Sequence, residues 1–160
     1  MERTFAILKP DCVEGKHCEE VLHMLMNGGF RIISAKPVNL QEKILCEHYS
    51  HLAQKPFFPS IISYMTRSKV LLLLLERENA VSDLRGLCGP TDSNEARRIA
   101  SHSIRAKFGK DKSENIIHAS DSPENALAEI NRFFSKKEID SAKKAMTFEE
   151  LKLLVAKLYG

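Results

Sequence analysis

Apolar positions along the chain alternate between short continuous runs and helically spaced sets, and the alternation predicts strands interleaved with helices. Thr4 to Leu8 is a compact apolar run closed by Lys9-Pro10-Asp11. It reads as a strand buried on both faces, with Lys9 at its end. Cys18, Val21, Leu22 and Leu25 fall at i, i+3, i+4 and i+7, one face of a helix, and Gly28-Gly29 suit its C-terminus. A second strand follows from Phe30 to Ala35, stopping near Pro37. Asn39 and Glu42 resemble a capping box and predict a helix through Leu45 and Leu52 that ends before Pro56 and carries Tyr49.

Pro56-Phe57-Phe58-Pro59 is a stiff aromatic corner, followed by a short helix from Ser60 to Thr66. Each phenylalanine there suits a plug between helices or a ring that stacks on a nucleobase. Lys69 to Glu76 encloses the most hydrophobic run, too short between charges for a helix, and reads as a central strand. Ala80, Leu84 and Leu87 again have helical spacing, with Arg85 off the stripe. Periodicity then fades from Gly89 to Glu114, a segment expected to be a long ordered loop and rich in basic residues that suit phosphate.

Ile116-Ile117 predicts the fourth strand, and Ser122-Pro123 the start of a helix running to Phe134. His118 would sit at the junction between them, where a side chain can be held at the rim of a cleft. Ser135 to Ala145 is polar and lysine-rich. Thr147 and Glu150 form another capping box, opening a helix with Phe148, Leu151, Leu154 and Leu158.

Composition narrows the chemistry. A chain of 160 residues with 43% hydrophobic content is long enough for one core without disulfides. Against 24 Lys+Arg stand 21 Asp+Glu, so the net charge of +3 gives no reason to invoke nucleic acid or an anionic membrane. Cys12, Cys18, Cys46 and Cys88 include no CxxC pair and no zinc-like spacing with histidine, which argues against a protein-held metal and for free thiols in a reducing compartment. No apolar segment is long enough to span a bilayer, and the cytoplasm is the expected location.

Several separated motifs together resemble the nucleoside diphosphate kinases. They are Arg3 to Asp11 (RTFAILKPD), His48-Tyr49, Pro56 to Pro59, Ser103-Ile104-Arg105, and Asn115 to Ser122 (NIIHASDS). The resemblance runs from about Arg3 to Phe134. It implies an α+β fold, a ferredoxin-like sandwich with a four-stranded antiparallel sheet covered by helices. Residues 1–135 would be the kinase domain and 136–160 a helical tail packed on it.

The resemblance also implies ping-pong transfer of the γ-phosphate between nucleoside tri- and diphosphates, with Mg²⁺ bound through the nucleotide phosphates. His118 would be the nucleophile, Glu129 would hold its other ring nitrogen, and Ser120 would support Glu129. A free imidazole has a pKa of about 6.5 and so offers a lone pair at neutral pH. Lys9, Tyr49, Arg85, Thr91 and Arg105 match the positions that surround the transferring phosphate. Asn115, with Lys9, falls at the ribose 3′-hydroxyl and Phe57 at the base, while Phe58 keeps a core reading.

Three departures stand out. Lys112 lies where the family commonly offers an aliphatic residue to the base. The 91–105 segment is longer than in compact members and resembles a divergent branch, so a homo-oligomer is expected without the family's common hexamer being assured. The lysine-rich tail differs from the usual family ending. A rival expectation is a nucleotide-binding or scaffold module that keeps the fold without turnover.

Overall fold

The computed structural model describes residues 1–159. Its sheet contains β1 (Glu2–Leu8), β2 (Arg31–Val38), β3 (Val70–Arg77) and β4 (Ile117–Ala119) in the order β2-β3-β1-β4, each neighbouring pair antiparallel. Ten α-helices occur among the described residues. Six precede the last stretch of the chain: α1 (Pro10–Glu14), α2 (Cys18–Asn27), α3 (Glu42–His48), α4 (Phe58–Met65), α5 (Ala80–Cys88) and α6 (Ser93–Ile99). The other four are α7 (Ile104–Phe108), α8 (Pro123–Phe133), α9 (Lys136–Ser141) and α10 (Phe148–Lys157).

Both faces of the sheet are covered, which explains the unbroken apolar runs of β1 and β3. Ala6, Leu8, Leu71, Leu73 and Leu75 join one cluster with Val21, Leu22, Leu84 and Leu151. Phe5, Ile7, Val70, Leu72 and Leu74 join the other with Leu45, Met65, Ile130 and Phe133. Alternate residues of one strand therefore serve two cores. Burial of each leucine is worth about 1.5–3 kcal/mol relative to exposure.

Several elements differ from the sequence expectations. Strand β2 runs through Pro37 to Val38, tolerable because β2 is an edge strand and a proline there forfeits no ladder bond. The extended chain delays α3, so Gln41 rather than Asn39 precedes it and no side chain caps it. That helix ends at His48 and is followed by a single 3-10 turn at Ser50–Leu52. Pro10 opens a short helix where only a strand end was expected.

The segment from Gly89 to Glu114 is not a loop throughout, since α6 and α7 lie within it. Each is a turn or two long with few buried positions, too short for a period to register, but each has a cap. Asp92 accepts from the Asn94 amide at 3.0 Å and Ser103 Oγ from the Ala106 amide at 3.3 Å.

The tail is docked. Leu151, Val155 and Leu158 enter the core cluster of β1 and β3. The Met146 amide donates to Ile32 O at 2.8 Å, and Tyr159 Oη donates to Val13 O at 2.6 Å. Thr147 and Glu150 form the expected capping box. Ser135 and Glu138 form a second within the stretch expected to be merely polar.

Candidate active site

Just before β4 the chain makes a sharp turn that positions the residues near His118. The Ile117 amide donates to Asn115 O at 2.9 Å across Ile116, whose φ is +78°. A β-branched residue at positive φ is strained, and this γ-turn persists because its neighbours hold it. Asp11 Oδ2 accepts from the Ile116 amide at 3.0 Å, and the Lys9 amide donates to Ile116 O at 2.9 Å. Lys9 and Asp11 thus pin the turn from outside. The Tyr64 hydroxyl donates to the other oxygen of Asp11.

The turn leaves Asn115 buried, with Oδ1 accepting from Lys9 Nζ at 2.8 Å and Nδ2 donating to Thr91 O at 2.9 Å and Lys112 O at 3.1 Å. It also starts β4, whose Ile117 and Ala119 enter one core. His118 consequently points to the other face, near the Phe5 ring at 6.0 Å. There α8 supplies Glu129. Its Oε1 lies 2.9 Å from His118 Nε2 and accepts from Ser120 Oγ at 2.5 Å. An ionised carboxylate only accepts, so Nε2 carries the proton and Nδ1 keeps the lone pair. Burial works against the Glu129 charge, but the His118 and Ser120 hydrogen bonds and the neighbouring His118 hold its carboxyl below the ordinary range.

A cleft of about 440 Å³ opens above His118. One wall is cationic: Lys9, Arg85 and Arg105 line it together with Thr91 and Asn115. Arg105 is nearly buried, donating to Gly89 O at 2.9 Å and Ile117 O at 2.7 Å. Burial lowers its affinity for the proton, and burial followed by the Arg105 charge brings the Lys9 ammonium down to about 8. Three cations lining one cleft form a site for a polyanion. Burial, then Glu129, pushes the Tyr49 hydroxyl up to about 12, so it stays a neutral donor in the opposite wall.

Comparison with known proteins places the chain in a family. Residues 2–139 match the family model described as nucleoside diphosphate kinase. The nucleoside diphosphate kinase of Aquifex aeolicus is 42% identical over 139 residues, covering 87% of this chain and 98% of that protein.

The chain belongs to the nucleoside diphosphate kinase family.

It is accordingly an enzyme, a nucleotide-binding phosphotransferase. A crystal structure of the Aquifex aeolicus kinase superposes with a TM-score of 0.82, covering 86% of this chain and 97% of that one. The Encephalitozoon cuniculi kinase, 30% identical, also gives 0.82 and covers 96% of this chain and 99% of its own, so its match extends into the tail. A Halobacterium salinarum kinase in complex with CDP is 32% identical, with a TM-score of 0.80 and coverage of 86% and 90%.

Of the residues singled out from sequence, Lys9, Tyr49, Arg85, Thr91, Arg105, Asn115, His118 and Glu129 all line this one cleft. Ser120 sits behind it, buried, touching Glu129. Phe57 is not in the lining. It precedes α4 and is 51% exposed. Lys112 contributes only its carbonyl, to Asn115, and its side chain is exposed. Phe58 is buried.

Sequence reading missed Arg132 and the part played by His48. Both line the cleft, and Arg132 Nη1 lies 3.1 Å from His48 Nδ1. Arg132 follows Glu129 at i+3, which places it on the same helix face. That spacing was the available signal. His48, His118 and Glu129 bring one possible ligand atom each within 4.8 Å of one another. Two imidazoles and one carboxylate, with Arg132 against His48, do not suit Mg²⁺, which prefers oxygen donors.

Proposed function

We propose that His118 carries the phosphoryl group between two nucleotides. The observation that supports it most directly is the Glu129 bond to His118 Nε2, which leaves Nδ1 as the nitrogen with a lone pair beside a cation-lined cleft. In the first half-reaction Nδ1 attacks the γ-phosphorus of a nucleoside triphosphate. The bond to the β-phosphate oxygen breaks, and the diphosphate leaves with that electron pair. In the second, a terminal oxygen of another nucleoside diphosphate attacks the same phosphorus and the N–P pair returns to Nδ1. No net proton is needed, so the protein's contribution is alignment and charge.

Lys9, Arg85, Arg105, Thr91 and Tyr49 surround the phosphates in this reading. Asn115 with Lys9 receives the ribose 3′-hydroxyl, and Phe57 lies against the base. Mg²⁺ bound to the nucleotide phosphates would supply charge neutralisation there, and the Lys9, Arg85 and Arg105 cations would offer it no ligand of their own. Glu129 keeps the ring oriented, and Ser120 keeps Glu129 oriented.

The test is to mix the full chain with γ-labelled ATP and Mg²⁺, isolate the protein, and chase with GDP. Acid-labile label on His118 that moves onto GTP is expected. A folded, nucleotide-binding protein that does not label would favour the scaffold reading.

The division into a kinase domain at 1–135 and a docked tail at 136–160 belongs to the same proposal, although Gly160 lies outside the described residues. Shared burial of Leu151 with the sheet supports it. Leu151→Ala is expected to cost about 3 kcal/mol in a urea titration, and an unchanged midpoint would mean that the tail is dispensable to the fold. A homo-oligomer of unspecified order, to be weighed by sedimentation, and a cytoplasmic location complete the reading. No helix among the described residues is long and apolar enough to cross a membrane.

A further inference from the structure

Helix α8 presents a second charged group one turn beyond Glu129. Arg132 Nη1 lies 3.1 Å from His48 Nδ1. A guanidinium has no lone pair with which to accept, so arginine is the donor and Nδ1 the acceptor. His48 is therefore the tautomer with its proton on Nε2. Its side chain is only 2% exposed, and its ring stands edge-on to that of His118 with centroids 4.8 Å apart.

The same Nδ1 lies 4.0 Å from Glu129 Oε2. Glu129 Oε1 is already shared by His118 and Ser120. His48 Nδ1 thus stands between two partners with opposite demands: Arg132 needs its bare lone pair, whereas Glu129 could accept only if that nitrogen were protonated.

We propose that Arg132 is a positioning residue for phosphoryl transfer: by claiming the Nδ1 lone pair it keeps His48 neutral and reserves Glu129 for His118. The inference rests on the reading of His118 as nucleophile.

Without Arg132 the lone pair is released. A proton taken up there would point at Glu129 Oε2, pull the carboxylate toward His48, and place an imidazolium beside the nucleophile. The groups facing His48 are Arg132 and Glu129 from α8, His118 from β4, Tyr49 just past α3 and His51 in the 3-10 turn after it, with Phe133 as an apolar neighbour. Burial first, then His118, with Arg132 and His51 adding to them, disfavours the charged form, and Glu129 alone of these charges favours it. Loss of Arg132 removes a repelling cation and the competing hydrogen bond together.

The experiment measures the single-turnover rate of phosphoenzyme formation against pH for the full-length protein with ATP and Mg²⁺. Wild type, Arg132→Leu, Arg132→Lys, His48→Phe and the Arg132→Leu/His48→Phe pair are compared. In Arg132→Leu the acid limb should rise by about one pH unit, a roughly tenfold loss near the acid end with little change at high pH. Arg132→Lys should restore part of it, and in the His48→Phe background the Arg132 substitution should no longer move the limb. Nitrogen NMR of labelled histidines should show His48 protonated on Nε2 in wild type and titrating in Arg132→Leu.

A pH-independent rise in KM alone would overturn the proposal and make Arg132 a nucleotide contact, and an Nδ1-protonated His48 in wild type would also overturn it. Absence of any phosphoenzyme in wild type would instead defeat the nucleophile reading, and the NMR result would still decide the Arg132–His48 pairing.

Discussion

The floor and the rim of the cleft are built differently. On the floor, Lys9, Asn115, Ser120 and Glu129 are joined to one another or to His118 by hydrogen bonds of 2.5–2.9 Å, and two of the four are buried. Glu129 stands on α8 and the others just outside the ends of β1 and β4, and both α8 and β4 pack against β1. At the rim, Thr91 and Arg85 are exposed and the Arg85 guanidinium reaches only Ala119 O at 3.5 Å, while Phe57, outside the cleft lining, is 51% exposed. The floor is set before any ligand arrives, as chemistry at one nitrogen requires. The rim side chains have few fixed partners, so ordering them would fall to a bound ligand.

The largest test of this contrast is His118→Asn on the floor. It should abolish phosphate exchange while leaving the far-ultraviolet circular dichroism unchanged, and substantial exchange would contradict a covalent mechanism. Arg105→Ala comes next, because Arg105 is a wall residue anchored like the floor through Gly89 O and Ile117 O. Loss of one preorganised donor is expected to cost about 3 kcal/mol, or a hundredfold in kcat. An effect confined to KM would place it with the rim.

Glu129 offers a smaller, pH-resolved effect on stability. Its folded-state carboxyl is held below its ordinary value, the burial penalty being outweighed by His118 and Ser120. The stabilisation is therefore present above the unfolded-state pKa and lost as pH falls through the lowered folded one. Glu129→Gln should flatten the decline of unfolding free energy as pH falls below the ordinary glutamate pKa of about 4.3, and an undiminished slope would remove the carboxylate from the account. Phe57→Ala should have the smallest effect, about 1 kcal/mol on nucleotide binding, read as a severalfold rise in KM. The maximal rate of phosphoenzyme formation at saturating ATP should not change. A fall in that rate would mean that the rim takes part in alignment.

The four strands and the positions of His118, Glu129 and Lys9 were legible from sequence because strands buried on both faces and helices with one apolar stripe leave strong periods, while the antiparallel pairing followed from the family resemblance. The resemblance then supplied roles that isolated polar residues do not announce. Helices α6 and α7 were not legible as periods, since each buries too few residues, although Asp92 and Ser103 marked their starts. The helix expected from Asn39 was misplaced because an edge strand tolerates Pro37 and the chain stays extended beyond it.

By itself the sequence determined the four strands and the longer helices, that the chain is long enough to bury a core, and that one histidine ends an apolar run beside a capped helix. Those properties depend on neighbours within a few residues. Only the tertiary structure decided that Ile116 takes a strained turn held by Asp11 and Lys9, more than a hundred residues away in the chain. It alone set Arg132 against His48, 84 positions apart. Strain and tautomer are chosen by partners the fold brings together, and no local pattern encodes them.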